Sequence, residues 1–183
     1  MNIKQSGIVL LRGITMLFIF SLLLCYYTIA NAKPGSYDPI TDILIDDFHG
    51  ATGSNPYSHG RTWYSFGGLN VEASNNALHV TGNSPKWSGV GIESNDTIIN
   101  AQGRKSLCVE FTGTIPIVEL YDNTNKVSDQ KLIPIKKWWS SFAIPDTART
   151  INLSKIQFKF GPGHINTTIN KIYFTNQIIP KQR

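Results

Sequence analysis

The chain has 183 residues, of which 41% are hydrophobic and only 16% are charged. This composition excludes an intrinsically disordered chain and a coiled coil, and the length suits one domain of ordinary size. The formal charge is +5, with 17 Lys and Arg against 12 Asp and Glu. Because the basic residues form no run, the sequence predicts no nucleic-acid partner.

Residues 1–32 have the three-part pattern of a secretory signal peptide. A basic start precedes an almost wholly apolar stretch from Ile14 to Ile29, and Ala30-Asn-Ala32 offers small residues at a cleavage site. The apolar stretch is shorter than the roughly 20 residues of a membrane-spanning helix. An uncleaved membrane anchor is the alternative. We predict a secreted or periplasmic protein that has no membrane association after cleavage.

The two cysteines have different expected roles. A lipid on Cys25 is a second alternative for the signal, but Leu24 stands where lipoprotein signals have a small residue. After cleavage at residue 32, Cys108 is the only cysteine, so the exported domain has no internal disulfide. Its neighbours, Leu107 and Val109, indicate that Cys108 is a small buried residue in a strand.

The remainder divides into a linker at residues 33–41, a domain at 42–176 and a tail at 177–183. Within the domain, short apolar or alternating runs are separated by Gly, Pro, Asn, Asp and Ser, and no window shows a helical period. Many short strands predict an all-β sandwich or barrel. The predicted strands are Ile43–Phe48, Thr62–Phe66, Leu69–Ala73, Ala77–Thr81, Gly89–Ile92, Leu107–Thr112, Ile117–Asp122, Lys131–Ile135, Trp139–Ile144, Ile156–Phe160 and Thr168–Thr175.

Alternation along each strand assigns its residues to two faces. The aliphatic set of each strand is expected to face the core, because one face of each sheet in a sandwich is buried. One member of each adjacent pair, Trp63 with Tyr64 and Trp138 with Trp139, is expected to point inward; for the second pair this is Trp138. The opposite faces then present Glu110, Glu119, Tyr121, Trp139, Gln157, Lys159 and Tyr173.

Six segments have a familiar order and spacing: Leu44–Phe48, Asn55–Phe66, Trp87–Ile92, Trp139–Pro145, Leu153–Phe160 and Ile169–Phe174. Together they resemble the galactose-binding-like jelly rolls that occur as carbohydrate-binding modules in secreted proteins. The resemblance covers about residues 42–176. It implies a jelly-roll β-sandwich that binds a glycan without catalysis. The same fold also serves a mitochondrial assembly factor, so a protein-interaction or assembly domain stays an alternative.

The resemblance also raises the question of a metal ion. The closing strand of this family commonly has an Asp that helps to hold a structural calcium ion near the first strand, and Asn170 stands in its place. An Asn carbonyl can bind calcium, but one negative charge is lost. One hypothesis is a calcium ion held by Asp46, Asp47 and Asn170. The other is that Asp46 and Asp47 are strand-end or turn residues and that the domain has no cofactor.

Sugar rings offer apolar faces for aromatic stacking and a rim of hydroxyls for hydrogen bonds. Exposed aromatic residues beside polar ones are therefore the candidates for binding an oligo- or polysaccharide by a monomeric domain. Trp139 is the first candidate for ring stacking and Tyr121 is the second. The full predicted ligand-binding set is Trp139, Tyr121, Glu110, Gln157, Tyr64 and Trp87.

A catalytic alternative depends on two carboxylates. If the strands before and after Gly113–Pro116 formed a hairpin, Glu110 would lie opposite Glu119 with Cβ atoms about 5 Å apart. Retaining glycosidases place two carboxyl groups at about that separation. A small glycoside-active enzyme is therefore the alternative function. The four His residues have no paired metal-ligand spacing, so no transition-metal site is predicted.

Overall fold

The computed structural model describes residues 36–93, 98–122, 125–131, 133–136, 139–144 and 150–177. For residues 122, 125, 127–131, 133–136 and 139–143 it describes the backbone. The predicted signal peptide, Trp138 and the tail from residue 178 lie outside this range. Within the described part of the chain, no helix is long and apolar enough to cross a membrane.

The described chain is built from β-strands, as its alternating pattern predicts. The strands are β1 Ile43–Asp46, β2 Tyr57–Ser58, β3 Arg61–Phe66, β4 Leu69–Ser74, β5 Ala77–Ser84, β6 Ser88–Glu93, β7 Ile98–Asn100, β8 Ser106–Gly113, β9 Ile117–Asp122, β10 Asn125–Lys131, β11 Ile133–Lys136, β12 Trp139–Ala143, β13 Thr150–Asn152, β14 Gln157–Phe160 and β15 Gly163–Thr175. A short 3-10 helix, Leu153–Lys155, precedes β14. Every predicted strand run coincides at least in part with an observed strand.

Two antiparallel sheets form the sandwich. The seven-stranded sheet has the order β11-β12-β8-β15-β5-β4, with β1 also paired to β15. The six-stranded sheet has the order β10-β9-β14-β6-β3-β2, and β7 pairs with β13 separately. This architecture confirms the predicted all-β sandwich.

Alternate residues of both sheets meet in one hydrophobic core. Trp63 lies in its centre with 1% of its surface exposed. Its ring packs 5.4 Å from Phe48 and 6.0 Å from Phe158, between ring centroids. Its indole Nε1 donates a hydrogen bond of 2.8 Å to Oδ2 of buried Asp46, which satisfies the one polar group of this side chain. Trp63 is therefore the inward member of its pair and Tyr64 the outward one.

The strands on either side of Gly113–Pro116, β8 and β9, do not form a hairpin, because they belong to different sheets. Strand β8 pairs with β12 and β15, whereas β9 pairs with β10 and β14. The chain crosses between the sheets after Gly113, whose φ of +97° favours glycine. A Cβ there would collide with the carbonyl oxygen of Asn166 on β15. The chain thus turns a corner between the two sheets at this point.

The folded unit begins before the predicted boundary at residue 42. The compact unit comprises Tyr37–Arg183, and the ring of Tyr37 packs edge-on against Tyr173, 5.4 Å between centroids. Together these two rings and Cys108 form a small second cluster outside the main core. Cys108 is fully buried, which confirms its predicted role as a small buried residue. Part of the predicted linker is therefore part of the domain.

Candidate functional site

The face of the six-stranded sheet that points away from the core brings several predicted residues together; we call it the outer six-strand face. Strand register places Tyr64 beside Gly91, Gly91 beside Gln157, and Gln157 beside Glu119. Neighbouring strands are about 4.8 Å apart. One row across four strands therefore presents an aromatic ring, a bare glycine, an amide and a carboxylate.

Two aromatic rings lie over two glycines of β6. A Cβ built at Gly91 would lie 2.7 Å from Oη of Tyr64, and one at Gly89 would lie 2.6 Å from Cζ of Phe66. Both distances are shorter than van der Waals contact, so the rings occupy the space that side chains of β6 would fill. The ring centroids of Tyr64 and Phe66 are 6.3 Å apart. The result is a pair of rings over the sheet, with Nε2 of Gln157 3.4 Å from Oη of Tyr64.

Beside these rings lies a buried carboxylate held by two ammonium groups. Glu119 is only 5% exposed although it points away from the core. Its Oε1 lies 2.8 Å from Nζ of Lys126, and its Oε2 lies 2.7 Å from Nζ of Lys159. The hydroxyl of Tyr121 also donates to Oε2, at 3.4 Å. Both carboxylate oxygens are thus engaged by donors from three strands.

The lysines control the ionisation of this carboxylate. Burial by itself raises the pKa of Glu119, but the hydrogen bonds and charges of Lys126 and Lys159 outweigh burial and hold the pKa below its ordinary value. Glu119 is therefore negative at neutral pH. A doubly paired carboxylate of this kind positions the two ammonium groups in a fixed arrangement.

An open cleft of about 390 Å³ lies at this end of the face. It is lined by Trp87, Ile117, Glu119 and Lys159. Trp87 is 52% exposed, which is unusual for so large an apolar side chain. Ligand sites combine apolar walls with a few polar groups that set orientation, and this cleft has both.

The predicted ligand-binding set is divided between the two sheets. Tyr121, Gln157, Tyr64 and Trp87 belong to the six-stranded sheet or the turn that enters it. Glu110 and Trp139 belong to the seven-stranded sheet, where strand register places them beside each other. Alternation along a strand shows which side chains point away from the core. It could not show on which outer face they lie, because each sheet of a sandwich has its own outer face.

Glu110 also differs chemically from Glu119. It is half-buried, and its neighbour across the sheet on β15 is Lys171. Burial raises the pKa of Glu110 above its ordinary value, although the charge of Lys171 opposes this effect. Glu110 therefore does not lie opposite Glu119, which removes the condition on which the catalytic alternative depends. The pKa values of the two carboxylates are also shifted in opposite directions.

Several residues of this face were absent from the predicted set, namely Phe66, Lys126, Lys159 and Ile117. The signal for Phe66 is present in the sequence: Tyr64-Ser-Phe66 has aromatic rings at every second residue, and Gly89-Val-Gly91 has glycines at the same spacing. Because side chains alternate along a strand, each pair lies on one face. Only the pairing of β3 with β6 shows that the two patterns face each other.

The calcium ion held by Asp46, Asp47 and Asn170 stays a prediction, and the surroundings of its three ligands differ. Asp46 accepts hydrogen bonds from the Phe48 amide at Oδ1 and from Trp63 at Oδ2, so both of its oxygens are engaged. The potential ligand atoms of Asp46, Asp47 and His59 lie within 4.8 Å of one another, but calcium prefers six to eight oxygens rather than imidazole nitrogen. Asn170 is exposed at a register shift of β15. Asp46 therefore anchors the indole of Trp63.

No protein-family model matches the chain, and no curated protein matches its sequence. Solved structures do match. A family 29 carbohydrate-binding module aligns at 13% identity over 74% of this chain and 88% of that chain, with a TM-score of 0.50. A variant of such a module complexed with mannohexaose also aligns at 13% identity, over 74% and 90%, with a TM-score of 0.50.

A further variant, complexed with cellulohexaose, aligns at 11% identity over 75% of this chain and 93% of that chain, with a TM-score of 0.50. At such identities the likeness concerns the fold. The predicted resemblance is thereby confirmed at that level: the chain has the β-sandwich fold of a carbohydrate-binding module.

Proposed function

We propose that the domain binds a glycan without catalysis, on the outer six-strand face. The observation that carries the proposal is the pair of rings, Tyr64 and Phe66, lying over Gly91 and Gly89. An exposed ring surface stacks against the apolar face of a sugar ring. Gln157 beside Tyr64 supplies an amide for hydroxyl groups. Tyr64 and Phe66 are half-buried, and Trp87 adds an exposed aromatic residue at the neighbouring cleft.

The solved structures of similar fold support the ligand class. Two of them are family 29 carbohydrate-binding modules complexed with mannohexaose and with cellulohexaose. We propose an oligo- or polysaccharide as the partner of this domain, bound by a monomer. The signal-like residues 1–32 support export, and we propose that the mature protein acts in the periplasm or outside the cell.

The geometry does not favour the glycosidase alternative. Glu110 and Glu119 belong to different sheets, so they cannot flank one glycosidic bond as a catalytic pair must. The general acid of such a pair has a raised pKa, whereas that of Glu119 is lowered by its two lysines. We propose binding without turnover. Release of reducing ends from a glycan by the wild-type domain, lost in Glu119→Gln, would contradict this.

Binding to a glycan array, followed by calorimetric titration with the best soluble oligosaccharide, tests the proposal. Tyr64→Ala is expected to weaken binding about tenfold or more, because a stacked ring contributes roughly 1–3 kcal/mol. The matched control is Tyr37→Ala, which removes an aromatic ring that packs against Tyr173 of the opposite sheet and is expected to leave affinity unchanged. Trp139→Ala, also on the opposite sheet, gives a second comparison.

Equal loss of affinity in Tyr64→Ala and Trp139→Ala would show that the site is not confined to the outer six-strand face. Absence of binding to any glycan, with saturable binding to a protein partner, would favour the assembly-domain alternative instead.

A further inference from the structure

Strand β2 brings one more aromatic residue to the outer six-strand face. Tyr57 pairs with Thr62 in the antiparallel register of β2 with β3, and residues paired in this way point to the same side of a sheet. Thr62 lies two residues before Tyr64 on β3, so its side chain points to the same face as those of Tyr64 and Phe66. Tyr57 therefore belongs to this face, whereas its neighbour Ser58 is only 3% exposed, as alternation along β2 requires.

The side chain of Tyr57 is 63% exposed, but the hairpin that carries it is held in place. The backbone N–H of Trp63 donates a hydrogen bond of 2.9 Å to the carbonyl oxygen of Pro56, directly before β2. At the tip of the hairpin, Nε2 of His59 lies 2.8 Å from Oδ1 of Asp47. An aromatic ring on a fixed element offers a ligand a large contact surface, and little freedom is lost when the ligand binds.

Exposed aromatic residues thus flank the two half-buried rings, one at each end of β3. Tyr57 lies beside the start of this strand. At the other end, Phe66 pairs with Gly89 of β6, and Trp87 directly precedes β6. Tyr57 and Trp87 are two of the four large hydrophobic side chains that are exposed in the described part of the chain. The aromatic residues follow one another in the order Tyr57, Tyr64, Phe66 and Trp87.

The spacing of these rings suits an extended ligand. Diagonal neighbours on adjacent antiparallel strands, such as Tyr57 and Tyr64, have Cβ atoms about 7–8 Å apart. The ring centroids of Tyr64 and Phe66 are 6.3 Å apart, so each ring can stack against a different sugar residue of one chain. Beside Tyr57, the paired residues Thr62 and Glu93 add a hydroxyl and a carboxylate for hydrogen bonds to sugar hydroxyls.

Resting on the proposed glycan-binding function, we infer that the site extends along β3 from Trp87 to Tyr57 and binds an extended chain of several sugar residues, with Tyr57 as an additional stacking residue at one end. A short chain can stay on the other rings without reaching Tyr57. A longer chain passes beyond Tyr64 and gains the contact. Tyr57 is therefore a residue that determines specificity for chain length.

The test uses cello- and manno-oligosaccharides of three and six residues in calorimetric titrations of the wild-type domain. The six-residue chains are expected to bind about tenfold more tightly than the three-residue chains, because they contact more rings. Should neither six-residue chain bind, the three- and six-residue oligomers of the glycan that binds best on the array take their place, with the same expectation.

Substitutions assign the length dependence to Tyr57. Tyr57→Ala is expected to weaken binding of the six-residue chain about tenfold and to leave the three-residue chain unchanged, whereas Tyr57→Phe keeps the ring and both affinities. The matched control is Ile98→Ala, which truncates a side chain that is 49% exposed on β7, a strand that pairs with β13. It is expected to leave both affinities unchanged. Thermal melts of the three variants establish that they are folded.

Equal affinity of the wild type for both lengths overturns the inference and leaves glycan binding at Tyr64 and Phe66 intact. The same holds if Tyr57→Ala weakens both lengths equally or weakens neither, because Tyr57 would then not distinguish them. If no glycan of the array binds, the inference falls together with the function on which it rests.

Discussion

The two outer faces of the sandwich differ in what covers them. On the outer six-strand face, the rings of Tyr64 and Phe66 fold over glycines of their own sheet and leave the cleft at Trp87 open. On the outer face of the seven-stranded sheet, Tyr37 comes from the segment before β1 and packs against Tyr173 and buried Cys108. The outer six-strand face has aromatic rings beside an open cleft, whereas on the other outer face Tyr173 is buried beneath Tyr37 from the segment before β1.

Their polar groups differ in the same way. Beside the paired rings, an ion cluster of Glu119 and two lysines borders an open cleft. On the opposite sheet, Lys171 lies 4.9 Å above the ring of Tyr37. A second groove of about 430 Å³ lies near β4 and β5. Among the residues that the structure describes, its lining is mostly polar and has no Trp, Tyr or Phe: Ser54, Ser65, Asn70, Val71, Glu72, His79 and Thr81. Aromatic rings beside a cleft, rather than a groove alone, therefore distinguish the candidate site.

The largest expected effect is the loss of stability on a substitution in the core, because both sheets, and therefore both outer faces, depend on the core. Trp63→Ala removes a fully buried ring and leaves the Asp46 carboxylate without its indole donor. We expect a loss of about 3–5 kcal/mol in the free energy of unfolding, measured by chemical denaturation. A loss below about 1 kcal/mol would show that the ring is not the centre of the core.

Substitutions of the two β6 glycines should separate folding from binding. At Gly89 a Cβ would collide with the backbone carbonyl of Phe158 as well as with the ring of Phe66, so Gly89→Ala is expected to destabilise the domain by about 1–3 kcal/mol. At Gly91 the atoms nearest to a Cβ belong to the side chain of Tyr64 and not to the backbone. Gly91→Ala should therefore displace that ring and weaken glycan binding with a smaller cost in stability.

Gly161→Ala is the control for both, because a Cβ there has nothing within 4 Å. Calorimetric titration and denaturation of the three variants provide the measurements. If Gly91→Ala kept full affinity for the glycan, the ring over Gly91 would not be part of the binding surface.

On the covered face, removing the covering ring should change stability and thiol reactivity but not binding. Tyr37→Ala is expected to cost about 1 kcal/mol, since an aromatic pair contributes roughly 0.5–1.5 kcal/mol beyond its burial. Cys108 is fully buried in the same cluster, so a thiol reagent should modify it faster in the variant than in the wild type. Equal rates would mean that Tyr37 does not protect this thiol.

Replacing Glu119 or Glu110 should change how the unfolding free energy depends on pH, in opposite directions for the two residues. These are the smallest effects that we expect. The lowered pKa of Glu119 gives stability that is present above its unfolded pKa of about 4.3 and is lost as the pH falls through the folded value. Glu119→Gln should therefore flatten the loss of stability in acid. The raised pKa of Glu110 has the opposite effect on stability. Its contribution is present below the unfolded pKa and is lost as the pH rises through the folded value.

Glu110→Gln is accordingly expected to steepen the decline of unfolding free energy in acid, and denaturation between about pH 3 and pH 7 measures both slopes. The same sign for both variants would contradict the opposite shifts.

Alternation and turn residues were sufficient to predict the class of the fold, most strand positions and the burial of Cys108. They could do so because side-chain direction along a strand depends only on the local backbone. The ends of strands were less predictable. Strand β15 begins at Gly163 rather than at the predicted Thr168, since pairing with β5 extends it through a polar stretch.

The sequence by itself thus determined which side chains point the same way within each strand, and it contained the ring and glycine patterns of Tyr64-Ser-Phe66 and Gly89-Val-Gly91. Only the tertiary structure decided which strands share a sheet. The corner at Gly113 sends β8 and β9 to opposite sheets, which separates Glu110 from Glu119 and brings Glu119 to Lys126 and Lys159. Strand pairing is a long-range contact, and local alternation is the same whichever neighbour a strand receives.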